Sequence, residues 1–120
     1  MKTSKAIRVR HSPMFEQQLK KLREAITDQK GKFHNQLLKA IEREEGNLLI
    51  DMHKGIQIEK SKIPKEYVTQ YGVTNLWKIN LPGFWRMIYT IVGNEFEIIS
   101  VLLEFMDHDE YSKKFKYRRR

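Results

Sequence analysis

The chain has no cysteine among its 120 residues, which rules out a disulfide framework and a thiolate-bound metal. Long apolar runs are missing too. The longest, "IISVLL" at 98–103, is far too short to span a bilayer. The start, "MKTSKAIRVRHSP", is basic but lacks the apolar stretch of a secretory signal, so a cytoplasmic chain is expected. There is no Gly-rich phosphate loop, Walker-type motif or nucleophile elbow, which sets aside nucleotide-dependent and serine-hydrolase chemistry. His11, His34, His53 and His108 have no ligand-like pairing, so neither a metal nor another cofactor is expected. "DHDE" at 107–110 groups acids that would hold a cation, but acidic runs at strand ends are usually just solvated.

Basic residues, by contrast, are in excess. Twenty-three Lys and Arg against 15 Asp and Glu leave a formal charge of +8, which points to a polyanionic partner. Nucleic acid comes first, then an anionic membrane or an acidic protein. A hydrophobic fraction of 40% suffices for one core, so residues 1–120 read as one domain with a basic tail at 113–120.

Residues 6–11, "AIRVRH", alternate as a short strand with Ile7 and Val9 on one face. Ser12 then suits a helix N-cap and Pro13 the first helical position. Phe15, Leu19, Leu22 and Ile26 share one helical face. After a break at "DQKGK", a second helix is predicted from about Lys32 to Glu45, ended by Gly46 and Asn47. Residues 47–62 are less legible. "IQI" suits an edge strand, while Leu48, Leu49 and Ile50 suit packing under the helices. "IPKEYVTQYG" reads as a short helix between Pro64 and Gly72.

From Asn75 the period becomes two. Trp77, Ile79 and Leu81 face one way; Leu76, Lys78 and Asn80 face the other. "PG" marks a turn, and the returning strand sets Trp85, Met87, Tyr89 and Ile91 against Arg86, Ile88, Thr90 and Val92. A third strand, "FEIISVLLEFM", is apolar on both faces and therefore belongs inside the sheet. The fold class is α+β: an N-terminal strand and helical hairpin, with helices packed on one face of a twisted antiparallel sheet.

Lys78 and Arg86 are the cations whose facing packing does not explain. "DHDEY" brings His108 and Tyr111 towards them at the end of the third strand. Two cations, an imidazole and a phenol suit metal-free RNA cleavage. Lys78 and Arg86 would neutralise charge on phosphorus, a histidine gives or takes a proton near neutral pH, and Tyr111 would stack on a base or orient the phosphate. Six basic residues of the tail, Lys113, Lys114, Lys116, Arg118, Arg119 and Arg120, would bind RNA phosphates with an affinity that falls as salt rises. Plainer readings stand beside these. Arg86 suits a solvated face or a salt bridge, and His108 an ion pair with Asp107 or Asp109. Tyr111, Phe115 and Tyr117 suit a terminal segment packed on the sheet, and Trp77 and Trp85 suit the core.

The order of strand, "SPMFEQQLKKL", second helix, "LWKINLPGFWRMIYTI" and "MDHDEYSKKF" resembles the RelE/ParE toxin superfamily, with "HDEY" nearest to its HigB branch. The element order matches over nearly the whole chain, the motifs over 76–92 and 105–111. The resemblance implies a microbial-ribonuclease-like fold and, for the mRNA interferase branches, ribosome-dependent and metal-independent mRNA cleavage. It also implies neutralisation by a cognate antitoxin, with no membrane partner. Arg86 matches the arginine that contacts the scissile phosphate, Lys78 the preceding basic residue, Tyr111 the C-terminal aromatic and His108 the HigB-like histidine.

The chain departs from the pattern at Asn80, at acidic Asp107, Asp109 and Glu110, and in a long insertion at 55–74. Two further readings therefore stay open. One is a non-catalytic relative that acts by binding, either a gyrase-directed toxin or an RNA-binding protein. The other is an unrelated basic α+β RNA-binding domain.

Overall fold

The strand β1 (Ala6–His11) opens the fold and leads into α1 (Pro13–Thr27) and α2 (Lys32–Ile50). The computed structural model describes residues 5–27 and 31–115. A short strand β2 (Ile56–Gln57) and helix α3 (Lys65–Tyr71) precede the strands β3 (Trp77–Leu81), β4 (Trp85–Gly93) and β5 (Glu97–Met106). Helix α4 (His108–Lys114) follows. Tyr117 and the tail cations Lys116, Arg118, Arg119 and Arg120 lie outside the described residues, as do residues 28–30 of the helix connection.

Local chemistry explains most of these boundaries. Ser12 Oγ accepts from the Phe15 N–H at 3.0 Å and donates to the Leu103 carbonyl at 2.6 Å. One hydroxyl thus caps α1 and ties it to β5. Gly72 ends α3 at φ 65°, a left-handed position that glycine adopts without strain.

The sheet runs β1-β5-β4-β3-β2. The α+β class is as expected, but the sheet is mixed: β1 lies parallel to β5, and the other three pairings are antiparallel. Alternation marks β1 as a strand without selecting its partner or direction. The helical hairpin brings it back alongside β5.

Packing corrects the second helix. α2 continues through Gly46 to Ile50 because Leu48, fully buried, needs the helical register. Burying a leucine is worth about 2 kcal/mol or more, against about 1 kcal/mol for glycine inside a helix. Leu49 and Ile50, expected to pack under the helices, are exposed at the end of α2.

Both sheet faces are covered, a second correction. On one face Phe15, Leu19 and Leu22 of α1 and Leu37 and Ile41 of α2 pack on Ile79, Met87, Tyr89, Leu102 and Phe105. On the other, Tyr67 of α3 and Tyr111 of α4 pack with Leu76, Ile88, Leu103 and Met106. The 55–74 insertion builds much of this second layer. Its Gly55 approaches the sheet so closely that a Cβ would meet the Lys78 carbonyl and the Tyr89 hydroxyl, each at 2.7 Å. Tyr89, pushed up to about 12 chiefly by burial, stays protonated and donates to the Met52 carbonyl at 2.8 Å.

His11 joins three elements. Its Nε2 meets Glu45 at 2.6 Å on α2, and its Nδ1 meets Glu16 on α1. Burial opposes the imidazolium, but the hydrogen bonds to Glu45 and then Glu16 overcome it and raise the pKa above 6.5. The folded protein therefore holds this proton more tightly than the unfolded chain. The resulting stabilisation is fully present below pH 6.5 and is lost as pH rises through the raised value. Thermal midpoints measured from pH 6 to 9 are expected to fall, and His11→Gln is expected to flatten that fall. Parallel slopes for the two proteins would remove His11 from this role.

Candidate functional site

β3 and β4 pair so that Lys78 lies opposite Ile88 and Asn80 opposite Arg86. Lys78 and Arg86 therefore point to the second face, the facing that their alternation predicts. On that face α4 lays Tyr111 over both cations. Lys78 Nζ donates to the Tyr111 hydroxyl at 3.0 Å and stands 5.0 Å from the ring centroid. The guanidinium carbon of Arg86 is 5.2 Å from the same centroid. Phe115 stacks on Tyr111 at 4.4 Å, which leaves that phenol 8% exposed. Tyr111 and Phe115 thus pack the terminal segment onto the sheet, and the Tyr111 ring serves the cations before any base.

The guanidinium of Arg86 also holds the hairpin turn. Its Nη1 donates to the carbonyls of Phe84 at 2.6 Å and Trp85 at 3.4 Å. The Nε–H is buried and meets no acceptor among the described residues. No carboxylate pairs with this arginine there, so the salt-bridge reading does not hold for it.

The turn itself is strained. Gly83 and Phe84 both take positive φ, 69° and 65°. Gly83 belongs there, because a Cβ would stand 2.8 Å from the Phe33 ring of α2. Phe84 is the one non-glycine residue with positive φ among those described, at a cost of order 1 kcal/mol. Its ring is 73% exposed and meets the His108 imidazole at 6.3 Å with an interplanar angle of 62°.

His108 is exposed and makes no ion pair among the described residues. Asp107 instead caps α4, its carboxylate accepting from the Glu110 N–H at 2.9 Å. Asp109 and Glu110 sit in the first turn, where the helix dipole favours negative charge. The acidic cluster read from "DHDE" is thus a helix start, beginning just after the third strand. No three His, Asp or Glu side chains among the described residues are gathered to hold a metal ion. No described helix is long and apolar enough to cross a membrane.

Behind the site lies a buried acid that alternation alone does not pick out. The pairing of β4 with β5 slips between Ile88 and Tyr89, so Leu103 has no opposite partner and Glu104 joins it on the second face. Glu104 accepts from the Tyr67 hydroxyl at 2.5 Å and from Lys114 Nζ at 3.1 Å. Burial first, and then Glu104, raises the Tyr67 pKa and keeps the phenol neutral. Lys114, expected with the tail as a phosphate contact, instead places its ammonium between Glu104 and Glu66, the latter at 3.3 Å. Burial disfavours that charge, but the hydrogen bond to Glu104 more than restores it. Lys113 stays exposed.

Three of the four catalytic candidates, Lys78, Arg86 and Tyr111, are therefore in contact. His108 stands one step away through Phe84. Trp77 and Trp85 pack against the first core, as the plainer reading had it. Phe84 and Glu104 escaped sequence reasoning: a turn phenylalanine and a strand glutamate carry no local signal of their setting. No protein-family model and no curated protein matches the sequence.

Proposed function

We propose that the protein is a toxin-like endoribonuclease of the RelE/HigB kind. It cleaves mRNA at the ribosome in the cytoplasm without a metal and is neutralised by a cognate antitoxin. One observation carries the reading: two cations, Lys78 and Arg86, converge on Tyr111, with an exposed imidazole against Phe84 nearby and no carboxylate among the described residues paired to either cation.

The chemistry follows from that set. The ribose 2′-oxygen attacks phosphorus as its proton leaves, and the P–O5′ bond breaks as the 5′-oxygen gains a proton. The products are a 2′,3′-cyclic phosphate and a 5′-hydroxyl. Arg86 and Lys78 offset the charge that builds on the phosphoryl oxygens. His108, open to solvent, exchanges the protons. Tyr111 holds the two cations in register, and Lys113 adds charge along the approach.

A second reading has its own support. Tyr111 is 8% exposed and already stacked, and exposed Asn80 replaces a further cation. Both features suit a relative that binds without cleaving. Inducible expression with mapping of mRNA 5′ ends separates the two. New 5′ ends within translated reading frames are expected. Growth arrest with unchanged ends and inhibited gyrase supercoiling would replace the first reading with the second.

A further inference from the structure

We infer that Phe84 is a base-binding residue: its exposed ring, with the imidazole of His108, forms an aromatic step on which a nucleobase of single-stranded RNA stacks while the adjoining phosphate meets Arg86. The inference rests on the RNA reading above and adds a contact that it does not contain.

Four features of the turn carry it. A large apolar ring is 73% exposed. It sits on a strained left-handed backbone that glycine would occupy freely, so folding alone disfavours phenylalanine there. Both sides of the turn are held, Gly83 against Phe33 and the Phe84 carbonyl by the Arg86 guanidinium at 2.6 Å, so the ring is presented from a fixed support. Its aromatic neighbour is the exposed His108.

The occupant follows from these neighbours. An exposed ring against an imidazole, with a guanidinium on the carbonyl of the same residue, matches a nucleotide, which offers a flat π-system and an anion a short distance apart. The formal charge of +8 favours the same polyanion. An apolar protein segment would need aliphatic surroundings, whereas the Phe84 ring meets the His108 imidazole and its carbonyl holds the Arg86 guanidinium. Stacking tolerates any base, so the step positions RNA without selecting sequence.

The test measures binding rather than cleavage. The probes are a short mixed-sequence 2′-O-methyl oligoribonucleotide, which has no free 2′-hydroxyl to react, and an abasic backbone of equal length. Phe84→Gly is expected to weaken the intact oligonucleotide about tenfold. It should leave the abasic backbone unaffected and keep the thermal midpoint at or above that of the unchanged protein, because the strain is relieved. Phe84→Trp should retain the affinity. Arg86→Ala should weaken both probes. Unchanged affinity in Phe84→Gly beside a loss in Arg86→Ala overturns the role of Phe84 and leaves the RNA reading standing. If the unchanged protein binds neither probe, the role of Phe84 falls, and the RNA reading is decided by the mapped 5′ ends alone.

Discussion

On the proposed ribonuclease reading, Arg86→Ala is expected to lower RNA cleavage by about a hundredfold to a thousandfold, the usual loss when one preorganised donor to a developing oxyanion is removed. The structural cost is much smaller. Arg86 contributes a cation–π contact with Tyr111 at 5.2 Å, worth about 1 kcal/mol, and hydrogen bonds to the turn carbonyls. A folded variant should therefore survive with its thermal midpoint modestly lowered. Arg86→Lys keeps a charge but loses the planar fork that holds the Phe84 carbonyl and, on that reading, a phosphate as well, so it should fall between the two. Cleavage is read from mapped 5′ ends, with circular dichroism as the check on folding. A folded Arg86→Ala protein that cuts within a few-fold of the unchanged one would remove Arg86 from the chemistry.

The second large effect is on stability. Glu104→Ala is expected to destabilise the protein by about 3 kcal/mol, because it leaves the buried Tyr67 phenol without its acceptor and strips the half-buried Lys114 ammonium of its nearer carboxylate. The carboxylate is 9% exposed and serves Tyr67 and Lys114 together, so solvent replaces it poorly. Lys114 keeps Glu66 at 3.3 Å, which softens the loss. Glu104→Gln retains an acceptor and should cost less. Converting all three groups to apolar residues of similar volume should come close to neutral, since the desolvation of the ion pair disappears with it. Urea unfolding reads all of these. An unchanged midpoint in Glu104→Ala would show that the network adds nothing. α4 carries Lys114, Tyr111 and His108, so on the proposed reading loss of the anchor should also depress cleavage through positioning.

Much of the site was visible beforehand because β-alternation is a local rule. Once residues 77–81 and 85–93 are strands paired Leu81 to Trp85, alternation puts Lys78 and Arg86 on one face, whatever lies above them. The covering layer was visible only in part: its short helix and terminal aromatics were read, but not their assembly over the two cations. It is assembled from 55–74 and 107–115, far from the hairpin in sequence, and its pieces are too short to carry a clear period. Phe84 shows the same limit: "PGF" announces a turn, but neither the positive φ at the phenylalanine nor the approach of Gly83 to Phe33 is written in it.

Composition and periodicity settled that this is a basic α+β chain with Ser12 before its first helix, a two-stranded turn at "PG" and two cations on one strand face. Each of these depends on neighbours within a few residues. Long-range packing settled the rest: β1 parallel to β5, α2 carried past Gly46 by buried Leu48, and Glu104 turned inward at the β4–β5 irregularity. It also put α4 over Lys78 and Arg86. Their energies come from contacts between distant segments, so no local pattern encodes them.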